Sequence, residues 1–315
     1  MTTIVCQKCQ QKAAIRMRQH RLALCSEHFL EWFVDQTQRF IEKYHMFAPT
    51  DRVLVAVSGG KDSLALWDVL WRLGYQADGL YIHLGIDSET HYSQESERMC
   101  RQFAGERNLH LQVVSVEQSY GATIPHLAWK SRRGRGRPCA VCGLSKRHIL
   151  NQAAREGGYD VLVTAHNLDD EVAVLFGNTM SWQVDQLNRQ SPVLEGSEDG
   201  FVRKAKPFCR FYERETAAYT LLRGIEYIEE ECPFSVGSKQ LAYKDLLNRL
   251  EEEHPGMKLS FYVNFLNAKR QGVFTPGAGE AAAIELKPCP VCGSPTTNDG
   301  PCAFCKTVQA EKREA

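Results

Sequence analysis

Val53-Leu54-Val55-Ala56-Val57-Ser58-Gly59-Gly60-Lys61-Asp62-Ser63 joins an apolar run to a glycine pair and then to a helix-forming sequence. A buried strand that turns through glycine into a helix leaves the first N–H groups of that helix without partners, aimed at an anion. Gly59 and Gly60 let the backbone approach a phosphate with no Cβ between. Lys61 adds a point charge, Asp62 follows it, and Ser58 and Ser63 bring hydroxyl donors. The G-x-x-x-x-G-K-[ST] spacing is absent, so this is a different phosphate loop from the Walker type. A glycine pair alone would be a structural turn. With strand, serines, lysine and aspartate all in register, it is a phosphate site.

Outward from this segment, strand-like runs occur at 53–57, 79–84, 111–116 and 160–165, separated by helical patterns near 63–73, 91–107 and 144–156. Such alternation predicts an α/β fold, a doubly wound parallel sheet covered on both faces. Ligands of such sheets bind at the carboxyl ends of the strands. That brings together loop 58–63, the loop after His83 and the loop after Ala165. The last reads Thr164-Ala165-His166-Asn167-Leu168-Asp169-Asp170-Glu171. Acids there hold magnesium, act as bases or cap a helix. Asp169 is assigned to capping and Asp170 to chemistry. His83 and His166 border the same space, either as nucleotide contacts or as satisfied loop histidines. The stripe Phe29, Phe33, Phe40, Tyr44 and Phe47 predicts a core-packing helix that stops before Pro49. Helices are also expected at 213–222, at 239–252 and around 261–266. Residues 271–279 have linker composition.

The 315 residues allow one large core with small appendages, and 43% hydrophobic with 24% charged residues describes an ordinary globular chain. No run reaches the ~18 apolar residues of a membrane span, and the N-terminus has no apolar signal core. A cytoplasmic protein without a membrane partner is expected. Net charge is zero, yet residues 1–26 and 130–147 are basic and acid-free. One such run is usually a solvated loop; two, each touching a cysteine cluster, point to phosphate-rich partners. Arg/Gly alternation at 130–137 predicts a loop that orders on binding.

Twelve cysteines in such a chain point to metal rather than disulfides. Cys6-x2-Cys9 with Cys25-x2-His28 has the layout of a closed structural zinc site, and so has Cys289-x2-Cys292 with Cys302-x2-Cys305. The third group, Cys139-x2-Cys142 with Cys232, is incomplete for zinc. It suits a cubane iron–sulfur cluster with one open iron, a redox dithiol or persulfide carrier, or a zinc knuckle with an unseen fourth ligand. Spacing does not rank these. Cys100 and Cys209 have no partners at ligand spacing and are expected to be buried.

Together these residues resemble the TtuA-type tRNA 2-thiouridine synthetases, which are PP-loop sulfurtransferases. Ser58 to Ser63 matches the PP-loop, and Arg137 to Arg147 is similar to the cluster-binding segment. Thr164 to Glu171 resembles the family's GHNxDDE segment, with Ala165 in place of glycine. Glu231-Cys232-Pro233-Phe234-Ser235 resembles the third cluster-ligand segment. The resemblance implies an HUP-like PP-loop ATP pyrophosphatase body with a zinc module at each end. Expected boundaries are 1–30 for a zinc finger, 31–285 for the catalytic body and 286–315 for a zinc ribbon.

It further implies that Cys139, Cys142 and Cys232 hold a [4Fe–4S] cluster and that Lys61, Lys146 and Asp170 are catalytic. The nucleotide would lie on Ser58, Gly59, Gly60, Lys61, Asp62 and Ser63, with His83 and His166 beside it. ATP, Mg2+, the cluster and two Zn2+ are the cofactors expected, and tRNA is the substrate. ATP adenylates O2 of a uridine, and sulfur displaces AMP. The sulfur donor is left open between a ubiquitin-like thiocarboxylate protein, a persulfide and free sulfide, and the resemblance admits a homodimer. Competing readings are cytidine 2-thiolation, a lysidine-type or amide-forming ligase, which leaves the cysteine triad idle, and a non-catalytic zinc-ribbon RNA-binding protein, which the intact loop argues against.

Overall fold

A computed structural model describes residues 4–87, 91–131, 134, 137–235, 237–274 and 286–312. In chain order come β1 (Ile15–Met17), β2 (Leu22–Leu24), α1 (Ser26–Lys43), β3 (Val53–Val57), α2 (Lys61–Arg72), β4 (Ala77–His83), α3 (Tyr92–Arg107) and β5 (Leu111–Ser115). Next are α4 (Val116–Tyr120), α5 (Ile124–Lys130), α6 (Pro138–Glu156), β6 (Val161–Val163), α7 (Leu168–Met180) and α8 (Val184–Arg189). Then follow β7 (Val193–Leu194), β8 (Arg203–Ala205), α9 (Glu213–Leu222), α10 (Lys239–Glu253), α11 (Met257–Arg270), β9 (Lys287–Pro288), β10 (Pro295–Thr296) and α12 (Ala303–Lys312).

The central sheet has the order β5-β4-β3-β6-β8-β7, parallel except for the antiparallel edge strand β7. This is the α/β sheet expected, with one antiparallel exception. Side chains alternate along β3. Val53, Val55 and Val57 join the core containing α1, α2, α7, α9 and α11, while Leu54 packs with Leu80, Leu162 and Ala154 under α6. Both faces are therefore covered. Gly79 on β4 is required by this packing, because a Cβ there would stand 2.4 Å from the buried Trp67 ring of α2.

The structure moves several expected boundaries. The helix predicted from 144 begins at Pro138, a proline at the first helical position. Cys139 and Cys142 therefore lie on a helix and not in the basic loop. Of that loop, Arg132, Arg133, Arg135 and Gly136 lie outside the described residues, as do 275–279 of the linker. Strand β8, Arg-Lys-Ala, has no apolar pattern and enters the sheet through its ladder to β6.

Two clamps fix the helices that matter for the site. Asp68 of α2 is fully buried and accepts from Arg107 of α3 at 3.0 Å, from Arg223 after α9 at 2.9 Å and from Tyr219 Oη of α9 at 2.7 Å. Burial alone would raise its pKa, but these three donors hold it below the usual carboxylate value. Second, Thr220 Oγ1 of α9 donates to Lys61 O at 3.2 Å, and Thr216 Oγ1 donates to Asp62 Oδ1. The N-terminus of α9 is thereby laid beside the N-terminus of α2. No described helix is long and apolar enough to cross a membrane.

Candidate active site and metal centres

Gly59 turns the chain out of β3 with φ +76, and a Cβ added there would lie 2.6 Å from the backbone oxygen of Ser96. Gly59→Ala combines left-handed strain with a clash against main chain, so a loss of about 1–3 kcal/mol in urea unfolding is expected. Gly60 is the N-cap of α2 and no side chain caps it, which leaves the first-turn amides for an anion. Ser63 Oγ accepts from Ser58 N at 3.1 Å and donates to Gly60 O at 3.0 Å, and the Ser58 hydroxyl lies 3.2 Å from it. The loop is held open by its own serines.

Charged groups from four elements meet beside this loop. Lys61 Nζ lies 3.1 Å from Asp62 Oδ2 and 2.8 Å from Glu213 Oε1. Lys244 Nζ of α10 lies 2.6 Å from Asp170 Oδ1 and 3.1 Å from Glu213 Oε2. Desolvation pulls Lys61 down, but Asp62 and Glu213 outweigh it and the ammonium is held above its ordinary value. At Asp62 burial dominates, reinforced by Asp170 and Glu213, and its pKa is raised. Glu213 is opposed by burial, yet Lys244 and Lys61 bring it down from 4.5 to about 2. A depressed carboxyl stabilises the fold above its unfolded pKa and loses that contribution as pH falls. The stability of Glu213→Gln, read as urea midpoint, is expected to vary less than the parent's between pH 4.5 and about 2.

Asp170 also completes a capping box: its carboxylate accepts from Asn167 N at 3.1 Å, and its own N–H donates to Asn167 Oδ1 at 3.1 Å. The expected roles are thus redistributed. Asn167 caps α7, while Asp169 turns away from its own helix. Asp169 pairs with the buried Lys258 at 2.5 Å and accepts from Glu213 N, the first residue of α9, at 2.9 Å. His83 ends β4, 3.5 Å from Asp87 Oδ2. His166 is exposed, its Nδ1 2.8 Å from Thr164 Oγ1, and desolvation by the surrounding residues, with the nearby Lys206, lowers the imidazole pKa. Glu213, Lys244 and Thr216 were not singled out from sequence. Each reaches the loop from far along the chain, 152 residues in the Lys61–Glu213 pair, and no local motif marks such contacts.

The cysteine triad approaches from the other side. Cys139 and Cys142 lie three residues apart near the start of α6, where i and i+3 share a face. Cys139 Sγ donates to Phe234 O at 3.3 Å. Cys232 opens the turn that contains Phe234, with Ser235 N and Oγ both donating to Cys232 O at 2.8 and 2.7 Å. Burial pushes the Cys142 thiol up, Lys146 and Arg147 pull it down, and the sulfurs of Cys232 and Cys139 are close enough to push it up again. The same strap is tied to the phosphate loop, Ile228 N donating to Gly59 O at 2.9 Å. Lys146 lines a 90 Å³ cavity together with Ser58, Tyr92, Ser96 and Leu150. The helix that carries Cys139 and Cys142 therefore also borders the phosphate loop, through Lys146.

Two other groups have single-ion geometry. Cys6 Sγ and Cys25 Sγ lie 3.5 and 3.3 Å from His28 Nδ1, and Cys9 and Cys25 are 3.7 Å apart. Cys292 and Cys302 are 3.8 Å apart, and both quartets draw their ligand atoms within 4.8 Å of one another. A tetrahedron with metal–sulfur bonds of about 2.3 Å has sulfur–sulfur edges of about 3.8 Å. The quartets fit zinc. Among the described residues the triad forms no such tight group.

Each quartet braces a helix of the site. His20 and Gln19, beside the first, reach the buried Glu215 of α9 at 3.0 and 2.6 Å. Phe304, beside the second, stacks on His148 of α6 at 4.1 Å, and Arg155 of α6 donates to Gly293 O and Cys292 O.

Comparison with known proteins agrees with this geometry. A PP-loop domain family matches residues 29–232, and the family described as 2-thiouridine synthetase TtuA, N-terminal LIM domain, matches residues 5–30. The chain belongs to the TtuA-type PP-loop sulfurtransferases. It is 51% identical over 312 residues to the tRNA-5-methyluridine(54) 2-sulfurtransferase of Thermus thermophilus, covering 99% of this chain and 93% of that one. It is 38% identical to the protein of the same name from Thermotoga maritima, covering 98% of each. The U34-tRNA thiolase NcsA of Methanococcus maripaludis, solved with its [4Fe-4S] cluster, shares the fold with a TM-score of 0.76 at 22% identity, over 99% of this chain and 97% of that one. The chain is thus an enzyme of the tRNA sulfurtransferase family, with a PP-loop body and a cysteine group at each end suited to metal.

Proposed function

We propose that this enzyme replaces O2 of residue 54 of tRNA with sulfur, splitting ATP to AMP and pyrophosphate. The observation that carries the reading is that α6, which bears Cys139, Cys142 and Lys146, borders the phosphate loop, with Lys146 and Ser58 on one cavity. The names of the two relatives above support position 54, and a third, from Pyrococcus horikoshii, is 39% identical under the same name.

Oxygen at C2 of a uracil leaves poorly until adenylated. In this reading the α2 amides and Lys61 take the pyrophosphate as charge develops on it. Its ammonium exchanges Glu213 for phosphate oxygen, and Lys244 keeps Glu213 neutralised meanwhile. Ser58, Ser63 and Asp62 shape the loop, and His83 and His166 flank the nucleotide from the ends of β4 and β6. Asp170 and Asp62 are the carboxylates for Mg2+, and Lys146 stabilises the adenylate phosphate. Cys139, Cys142 and Cys232 would hold a [4Fe–4S] cluster, which would supply an open iron for the donor's sulfur when bound. The two quartets hold one Zn2+ each and fix α9 and α6. The domain limits 1–30, 31–285 and 286–315 follow the same division of labour. Sulfur comes from a persulfide, a ubiquitin-like thiocarboxylate protein or sulfide, and the tRNA substrate places the enzyme in the cytoplasm.

Anaerobically purified protein with ATP, Mg2+, sulfide and an unmodified tRNA transcript tests this by nucleoside mass spectrometry. 2-Thiouridine mapped to position 54 is expected. Thiolation at position 34 or of a cytidine, or none in protein that carries its metals, would overturn it.

A further inference from the structure

A second concave surface lies away from the phosphate loop, between the N-terminal module and α1. The groove of 400 Å³ is lined by His20, Trp32, Arg39, Phe40, Lys43 and Arg210, with Leu22, Phe211 and Leu259 at its floor. Its charge is one-sided: among the described residues no carboxylate lies within ion-pair distance of Arg39, Lys43 or Arg210. The Arg210 guanidinium stacks on Phe40 at 5.1 Å, and its Nε–H is buried without a hydrogen-bond partner. Desolvation, with repulsion from Arg210 and Arg270, pulls the Lys43 pKa down. A cationic groove whose members repel one another gains when an anion enters it.

We infer that this groove is a tRNA-docking surface separate from the reaction centre, holding backbone phosphates on Arg39, Lys43 and Arg210. The inference rests on the function proposed above. Aromatic residues interleaved with cations suit RNA, whose bases stack while its phosphates pair. The other large groove, 530 Å³ between α3 and the strap at 224–230, carries Glu95, Glu226, Glu229 and Glu230 and repels phosphate. Arg210 of the groove stands three residues before Glu213 of the site in the chain.

Arg39 and Lys43 are exposed, so the double variant Arg39→Gln/Lys43→Gln should fold normally. Its affinity for an unmodified tRNA transcript is read by fluorescence anisotropy across a salt series. Binding about tenfold or more weaker is expected, with the slope of log affinity against log salt reduced by about 2. In thiolation assays KM for tRNA should rise with kcat unchanged. The pair Arg98→Gln/Arg101→Gln on α3, whose cations are held by Glu95 and Glu97, should leave binding unaltered. Parent binding with an unchanged slope in the groove variant overturns the docking surface alone. Failure of the parent to bind tRNA overturns the proposed function and this inference with it.

Discussion

Lys61→Ala is expected to lower thiolation by roughly 10²–10³-fold while leaving tRNA affinity within twofold. The loss is larger than that of a simple contact because of what surrounds the ammonium. Lys61 stands between Asp62 and Glu213, and Asp62 is already pushed toward its neutral form by burial and by neighbouring acids. Without Lys61, an incoming triphosphate meets those two carboxylates with only Lys244 to balance Glu213. Both ATP KM and kcat should suffer, and Lys61→Met, which keeps the stem, should not rescue. Steady-state kinetics beside tRNA anisotropy separates this from misfolding. Unchanged kinetics would remove the loop from the chemistry.

Cys142→Ser is expected to abolish thiolation and the broad absorbance near ~400 nm of anaerobically prepared protein, and to leave two zinc ions per chain. The reasons are positional. Cys142 shares a face of the N-terminal part of α6 with Cys139 and lies within electrostatic reach of Cys232. The zinc quartets are built from other cysteines on other segments. Serine at one corner of the triad should therefore remove the cluster without touching the folded modules. The same substitution at Cys209, which is fully buried in the core, should cost stability alone. Metal analysis and the visible spectrum decide. Full activity in a colourless Cys142→Ser protein would assign the triad a different role.

How much of this was legible in the sequence depends on the range of the signal. Residues 53–63 could be read because strand, glycine turn and helix start are consecutive in the chain. The zinc quartets could be read because two ligands two residues apart define a knuckle. β8 could not: Arg203, Lys204 and Ala205 carry no alternation, and their place comes from pairing with β6. The start of α6 was missed because arginines, glycines and cysteines dominate 130–143, although Pro138 marks a first helical position. Asp169 looked like a cap for its own helix, and the structure gives it to α9 and Lys258 instead. Glu213 and Lys244 were invisible because acids and lysines on amphipathic helices are usually solvated. The Asp68 clamp, which sets α9 against α2, turns Glu213 to the loop, and the packing of α10 on α7 brings Lys244 to Asp170.

The claim at the centre of this account is that phosphate loop and cysteine triad serve a single reaction. The most direct test is to count AMP and 2-thiouridine in the same anaerobic reaction with tRNA, ATP and sulfide. Equal amounts are expected, pyrophosphate accompanying AMP. ADP as the nucleotide product, or 2-thiouridine accumulating without AMP, would contradict it.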